Sequence, residues 1–196
     1  VPVSPAGRPA LTSPDAWAAA ALDDIEDAGV RGLSVQSVAR RLGVSKGGLY
    51  HHFADRRALL RAALNRWERR QVTELGEAFD AIADPRERLH RLLAYATVEK
   101  APTVILQLMA AVDDPDVAAI LDRAATARLD LLGRIFTDLG LPATAARQRA
   151  VLAYGHYLGL AQLRAQAPGV LADDADVHEH LRILEAALLA GIAGDP

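Results

Sequence analysis

The chain has 196 residues, 51% of them hydrophobic, no Cys and a net charge of −3. That length allows one or two small domains around a sizeable core. The lack of Cys excludes disulfides and thiolate metal sites. No apolar run reaches the roughly 20 residues that cross a bilayer, so a cytoplasmic globular protein with no membrane partner is expected.

The charge is unevenly placed. Residues 31–70 hold nine Arg and Lys46 against Asp55 and Glu68, a local balance of +8, and the flanking segments are acidic. A basic block on an acidic body is the footprint of a nucleic-acid-reading head. A solvated helix face explains the same block equally well when it is taken alone.

Residues 1–13, rich in Pro and small residues, lack the charged start and apolar run of a signal peptide and are expected to form a flexible tail. From Pro14 to about Ala28, Trp17, Ala20, Ala21, Ile25 and Ala28 make an apolar stripe, and Gly29 closes that helix. Arg31 and Gly32 are expected in a loop. Ser34 then caps a helix with Val35, Val38, Ala39 and Leu42 at helical spacing, and Gly43 supplies the turn. Ser45 is expected to cap a second short helix with Leu49 and Phe53 on one face, four residues apart. Two short helices around a glycine turn form a helix-turn-helix, whose second helix enters the DNA major groove.

These residues carry a specific resemblance. Gly29, Ser34-Val35, Val38-Ala39, Gly43-Val44-Ser45-Lys46-Gly47 and Leu49-Tyr50-His51-His52-Phe53 stand in register, followed by a capped helix at Asp55-Arg56. Residues 14–62 thereby resemble the tetracycline-repressor (TetR-like) family of bacterial transcriptional regulators. Gly48 departs from the family where a hydroxyl residue is frequent, and Arg56 stands where Lys is usual. The resemblance implies an all-α fold of about nine helices. It comprises a tail at 1–13, a three-helix DNA-binding domain at 14–58 and a ligand-binding and dimerisation domain at 59–196.

Within the head, Ser45 and the amides beside it suit a phosphate or base edge. Lys46 is either the cation there or an ordinary surface lysine. Gly47 and Gly48 each cost roughly 1 kcal/mol relative to Ala inside a helix, which points to close backbone approach to DNA. The resemblance places Tyr50 and His51 towards DNA, while His52 packs inward or caps. Ser34, Gln36 and Ser37 are candidate phosphate contacts, with Gln36 alternatively at a base edge. Arg56 is expected on the phosphate backbone, and Arg40 and Arg41 are surface charges or long-range attraction.

Downstream, Leu60, Leu64, Trp67, Gln71, Leu75, Phe79 and Ile82 line one face of a long helix from Arg56 to about Ile82. Asp84-Pro85 starts the next helix, and Ala101-Pro102 separates it from another. Asp114-Pro115 opens a further helix that Gly140 ends. Residues 143–166 carry Val151, Tyr154, Leu158 and Ala161 on one face, with Gly155 and Gly159 open to close approach. Residues 174–191 carry Val177, Leu181, Leu184, Leu188 and Gly191 at coiled-coil-like spacing. This seam suits either a partner or the monomer core. The resemblance implies that these two helices form a homodimer interface through Val151, Tyr154, Leu158, Val177, Leu181, Leu184 and Leu188. A dimer also matches a palindromic operator on double-stranded DNA.

The resemblance further implies a small-molecule pocket in the body, with candidate lining residues Trp67, Gln71, Tyr95, Gln107, Met109, Phe136, Tyr154 and Tyr157; each is also an ordinary core candidate. The expected function is a homodimeric repressor released from its operator by a small-molecule effector. An activator, or an effector-independent DNA-binding protein of the same fold, is the alternative. All five Ser lie within the first 45 positions, so the body houses no Ser or Cys hydrolase. Residues 43–48 lack the Gly-Lys-Ser/Thr ending of a phosphate loop. His178-Glu179-His180 is expected to be a solvated helix start rather than a metal site. No catalytic residue, cofactor or metal is expected.

Overall fold

The computed structural model describes residues 13–98 and 103–192, and these are helical with no strand. Residues 1–12, expected as a tail, and the Ala101-Pro102 break lie outside the described residues. The helices are α1 (Pro14–Gly32), α2 (Val35–Arg41), α3 (Lys46–His51) and a long rod, α4, over 56–80. They continue with α5 (Pro85–Val98), α6 (Thr103–Met109), α7 (Pro115–Asp138), α8 (Ala143–Gln166) and α9 (Asp174–Leu189).

Local chemistry sets these boundaries. Ser13 accepts a hydrogen bond from the Ala16 amide at 3.1 Å, and Pro14 occupies the first turn of α1. Gly29 interrupts α1 at φ +73°, a left-handed conformation open to glycine. The chain then makes one more helical turn, so Arg31 and Gly32, expected in a loop, are helical. Ser34 caps α2 by accepting from the Ser37 amide at 3.4 Å. Gly43, at φ +69°, turns the chain towards α3.

α3 departs from expectation. It is wound as a 3-10 helix, and Ser45 has the extended backbone of a cap but makes no side-chain cap bond. Two consecutive glycines weaken the α-helical alternative in so short a segment. Leu49 is fully buried, and Phe53, beyond the helix end, packs against the same core.

The long rod α4 starts at Asp55, whose Oδ1 accepts from the Ala58 amide at 2.7 Å. It is not uniform: Arg56–Glu68 is α-helical, Arg69–Glu74 is a π-helical turn, and Leu75–Asp80 is α-helical again.

Two cores hold the molecule together. The first joins Trp17, Ile25, Val38, Leu49, Leu60, Leu64 and Trp67 to Ile105 and Leu108 of α6 and to Val117, Ile120 and Ala124 of α7. The helix-turn-helix head therefore shares its core with the body. The second joins Phe79, Leu89, Leu93, Leu132, Ile135 and Phe136 to Ala146, Ala150 and Ala153 of α8 and Leu181 and Leu188 of α9. The α9 seam thus faces inward: Val177, Leu181 and Leu188 are buried within the monomer. Coiled-coil spacing fits an internal seam as well as an external one, and here the internal partner won.

Candidate functional site

The outward side of the helix-turn-helix presents Gln36 and Arg40 from α2, and Ser45, Lys46, Gly47, Tyr50 and His51 from α3. Tyr50 is 66% exposed, a large ring left in water on a helix whose opposite side is sealed by Leu49. Ser34 and Ser37 are half-buried, with the Ser34 hydroxyl used in capping. Lys46 has no hydrogen-bond or ion-pair partner among the described residues.

Gly47 and Gly48 differ. A Cβ at Gly47 would meet only the Ser45 hydroxyl, at 3.6 Å, whereas at Gly48 it would lie 3.4 Å from the Trp17 ring. Gly48 thus lies against Trp17, where a Cβ would make ordinary van der Waals contact, while Gly47 faces more open space.

Most of the basic block is answered internally. Arg31 pairs with Asp113 at 2.7 Å, Arg57 and Arg61 with Asp116 at 2.7 and 3.1 Å, Arg66 with Asp15, and Arg41 with Asp27. Arg56 is turned back into the protein. Its guanidinium donates to the carbonyls of Leu33 at 2.8 Å and Val30 at 2.7 Å, closing the end of α1. The phosphate role expected of Arg56 gives way to this bond set, because C-terminal carbonyls of a helix attract a cation. Hydrogen bonds from Arg57 and Arg61 hold the Asp116 carboxyl below the usual carboxylate range, and the bond from Arg31 does the same for Asp113.

Asp24 organises the head from inside. It is 3% exposed; its Oδ2 accepts from the Ser34 amide at 2.8 Å, and its Oδ1 lies 3.6 Å from Arg41 Nε. The carboxylate satisfies a free amide at the start of α2 while partly balancing the arginine. A signal was present in the sequence: Asp24 lies on the same stripe as Trp17, Ala20, Ala21 and Ala28.

In the body, a cavity of about 390 Å³ opens beside the π-helical turn of α4. Of the eight residues expected to line it, Gln71, Tyr95, Tyr154 and Tyr157 do so, joined by Val72, Leu75, Leu92, Leu93, Arg128 and Leu131. The other four stand elsewhere. Trp67 and Phe136 are buried in the first and second cores, Met109 is exposed, and Gln107 reaches the head, donating to the Glu26 carbonyl at 3.3 Å. Arg128 was missed. Its guanidinium carbon lies 5.4, 5.9 and 5.7 Å from the ring centroids of Trp67, Tyr154 and Tyr157. Its Nη2 donates to the Gln71 carbonyl at 3.4 Å, while Nη1 is buried with no hydrogen-bond partner. Tyr95 donates to Gln71 Oε1 at 3.3 Å. Burial pushes the Tyr157 hydroxyl above its ordinary pKa, with Arg128 pulling the other way.

The outer face of α8 and α9 differs from the expected one. Val151 is exposed, but Tyr154 lines the cavity, Leu158 packs against the first core, and Leu184 packs against the second beside the buried α9 seam. The exposed apolar side chains are instead Val151, Leu152 and Leu163 on α8 and Ile183 on α9, with Leu152 62% exposed. Gly155 and Gly159 lie open between them. His156 and His180 stack at 5.0 Å, with Nε2 atoms 3.2 Å apart, and burial lowers the His156 pKa, assisted by His180 and Arg164. No group of three metal-ligating side chains is present among the described residues.

Residues 18–63 match the family model described as bacterial regulatory proteins of the tetR family. Over 43 residues the chain is 51% identical to the class A tetracycline repressor from transposon 1721 of Escherichia coli. The head sequence thus matches the DNA-binding segment of TetR-family regulators over residues 18–63. The repressor match spans 22% of this chain and 20% of that protein, so sequence likeness to it is confined to the head. The fold extends much further. A transcriptional regulator from Rhodococcus sp. Rha1 is 25% identical and superposes with a TM-score of 0.76, covering 94% of this chain and all of that one. Escherichia coli NemR in its reduced form is 19% identical with a TM-score of 0.74, covering 93% and 99% of the two chains. FadR from Bacillus subtilis, solved in complex with stearoyl-CoA, is 16% identical with a TM-score of 0.67, covering 90% and 98%. Among the described residues, no helix is long and apolar enough to cross a membrane.

Proposed function

We propose that this protein is a homodimeric, DNA-binding transcriptional repressor that a small-molecule effector releases from a palindromic operator. The outward side of α3 carries this reading. Lys46, Tyr50 and His51 stand exposed on a helix whose inner side is fixed by Leu49 and by Gly48 against Trp17. An exposed aromatic and an unpaired cation at the tip of a helix-turn-helix suit phosphate positioning and groove contact.

The dimer reading rests on the apolar outer face formed by Leu152, Gly155, Gly159, Leu163 and Ile183. Leu152, Gly155, Gly159 and Leu163 recur at helical spacing on one side of α8, and exposed apolar side chains on one helix face suit an interaction site; a two-fold dimer presents two heads to two half-sites. The effector reading rests on the cavity, which lies against the rod that carries the head. FadR, a protein of the same fold, was solved with stearoyl-CoA, so the fold accommodates a ligand.

Selection of bound fragments from genomic DNA, followed by gel shift, tests the central claim. Wild type is expected to retain a specific site at moderate salt, and Lys46→Ala combined with Tyr50→Ala to lose it while remaining folded. No specific site for wild type would sink the DNA-binding reading. A stabilising metabolite that also dissociates the complex supports effector release; a ligand that stabilises the protein without dissociating DNA argues against it.

A further inference from the structure

The body cavity contains a charge that the chain leaves unanswered. Arg128 has no ion-pair partner among the described residues, although most arginines of the head have one. Its guanidinium rests against Trp67, Tyr154 and Tyr157, one nitrogen holds the Gln71 carbonyl, and Nη1 is buried without an acceptor. The indole nitrogen of Trp67, stacked behind it, is also buried without an acceptor. Ring faces attract the cation but accept none of its in-plane hydrogen bonds. A buried polar group without a partner is costly, so Arg128, a cavity-lining cation with a donor awaiting an acceptor, describes what should fill the cavity.

We infer that the cavity binds a small organic monoanion, a carboxylate on an apolar body, with the carboxylate held by Arg128. The inference rests on the reading that the cavity takes an effector and names that effector's chemistry. Two carboxylate oxygens match the guanidinium fork, engaging Nη1 and competing with the Gln71 carbonyl for Nη2. Val72, Leu75, Leu92, Leu93 and Leu131 line the remainder and suit an apolar body. The cavity also touches Glu77, Asp80 and Asp130, all on exposed positions, with Asp80 held by Arg134 at 2.8 Å. That acidic rim disfavours a polyanion, and the interior arginine disfavours a cation. Because Gln71 belongs to the π-helical turn of α4, the carboxylate would act directly on the rod that carries the head.

Calorimetric titration of the full chain with matched probes tests this. Two bodies are used, alkyl and aryl: decanoate and biphenylacetate, each with its amide and its amine counterpart. At least one carboxylate is expected to bind roughly tenfold to a hundredfold tighter than its amide, as a charge-assisted hydrogen bond implies, with the amine weaker still. Arg128→Gln should bring the carboxylate-to-amide ratio to about one. Arg128→Lys should keep part of it, and Arg182→Gln, at an exposed α9 arginine paired with Glu179 away from the cavity, should leave it unchanged. Circular dichroism checks that each variant folds; if Arg128→Gln does not, the wild-type ratio and Arg128→Lys decide. Failure of both carboxylates to bind at millimolar concentration, an amide or amine binding as tightly, or a ratio surviving Arg128→Gln would overturn the site. Carboxylate binding with no effect on DNA would instead overturn effector release and leave the site standing. An effector that releases DNA without carboxylate preference would do the reverse.

Discussion

The arginines around the head and Arg128 at the body cavity are used in opposite ways. In the head and the first turns of the rod behind it, Arg31, Arg41, Arg57, Arg61 and Arg66 meet carboxylates, and Arg56 meets carbonyls. In the body, Arg88, Arg91, Arg123, Arg134 and Arg182 also meet acids, whereas Arg128 at the cavity faces three aromatic rings and no acid. The larger cluster of charge is thus mostly scaffold, and the isolated charge is the one available to a ligand. Local net charge points to a region, but the partner of each cation decides its job.

The strongest way to break the head's scaffold is to remove its buried acid. Asp24→Ala strands the Ser34 amide, while Arg41 keeps Asp27, and is expected to cost about 1–3 kcal/mol, read by urea denaturation. Next comes the glycine pair. Gly48→Val drives branched carbon into Trp17 and should cost roughly 1–3 kcal/mol, whereas Gly47→Ala should leave the melting temperature near wild type. Circular dichroism melts of the two variants side by side check this.

Lys46→Ala should change stability by no more than about 0.5 kcal/mol, yet make the salt dependence of DNA affinity shallower by about one per head. Arg57→Ala should leave that salt slope unchanged, because Asp116 holds the residue, and titration of DNA binding against salt separates the two. An equal change in both slopes would erase the distinction between tied and untied cations.

The smallest effect is acid sensitivity. Asp113 and Asp116 carry lowered folded-state pKa values. Their contribution is therefore present above the ordinary carboxylate pKa of about 4 and fades as pH falls through the lower folded value. Asp116→Asn should flatten the acid limb of thermal stability below about pH 4. Melts between neutral and strongly acidic pH test this, and an unchanged limb would show that the Arg57 and Arg61 bridges do not couple to folding.

The head was legible in the sequence because its determinants are local: caps at Ser13, Ser34 and Asp55, turns at Gly29 and Gly43, and apolar residues at helical spacing. What the sequence hid there was partner choice. Nothing in the spacing distinguishes an arginine aimed at phosphate from Arg56, whose acceptors lie more than twenty positions earlier. The body was legible as helices but less so as surfaces. α8 is apolar on several sides, so its periodicity does not choose an inner face, and the α9 seam fits either side. Four of the expected cavity residues line it because aromatic and amide side chains are few in the body. Arg128 escaped notice because its meaning comes from three rings contributed by α4 and α8, all distant in sequence.

The π-helical turn at Arg69–Glu74 makes α4 unusually forgiving of a change in length at one place. A π turn absorbs one extra residue within an otherwise α-helical rod. Deleting a residue there would restore the ordinary winding and keep the two ends of the rod in phase. The same deletion elsewhere in the rod would turn the helix-turn-helix about its axis by about 100° relative to the second core, at 3.6 residues per turn. The π turn thus lets the rod shorten by one residue at this point without re-aiming the helix-turn-helix.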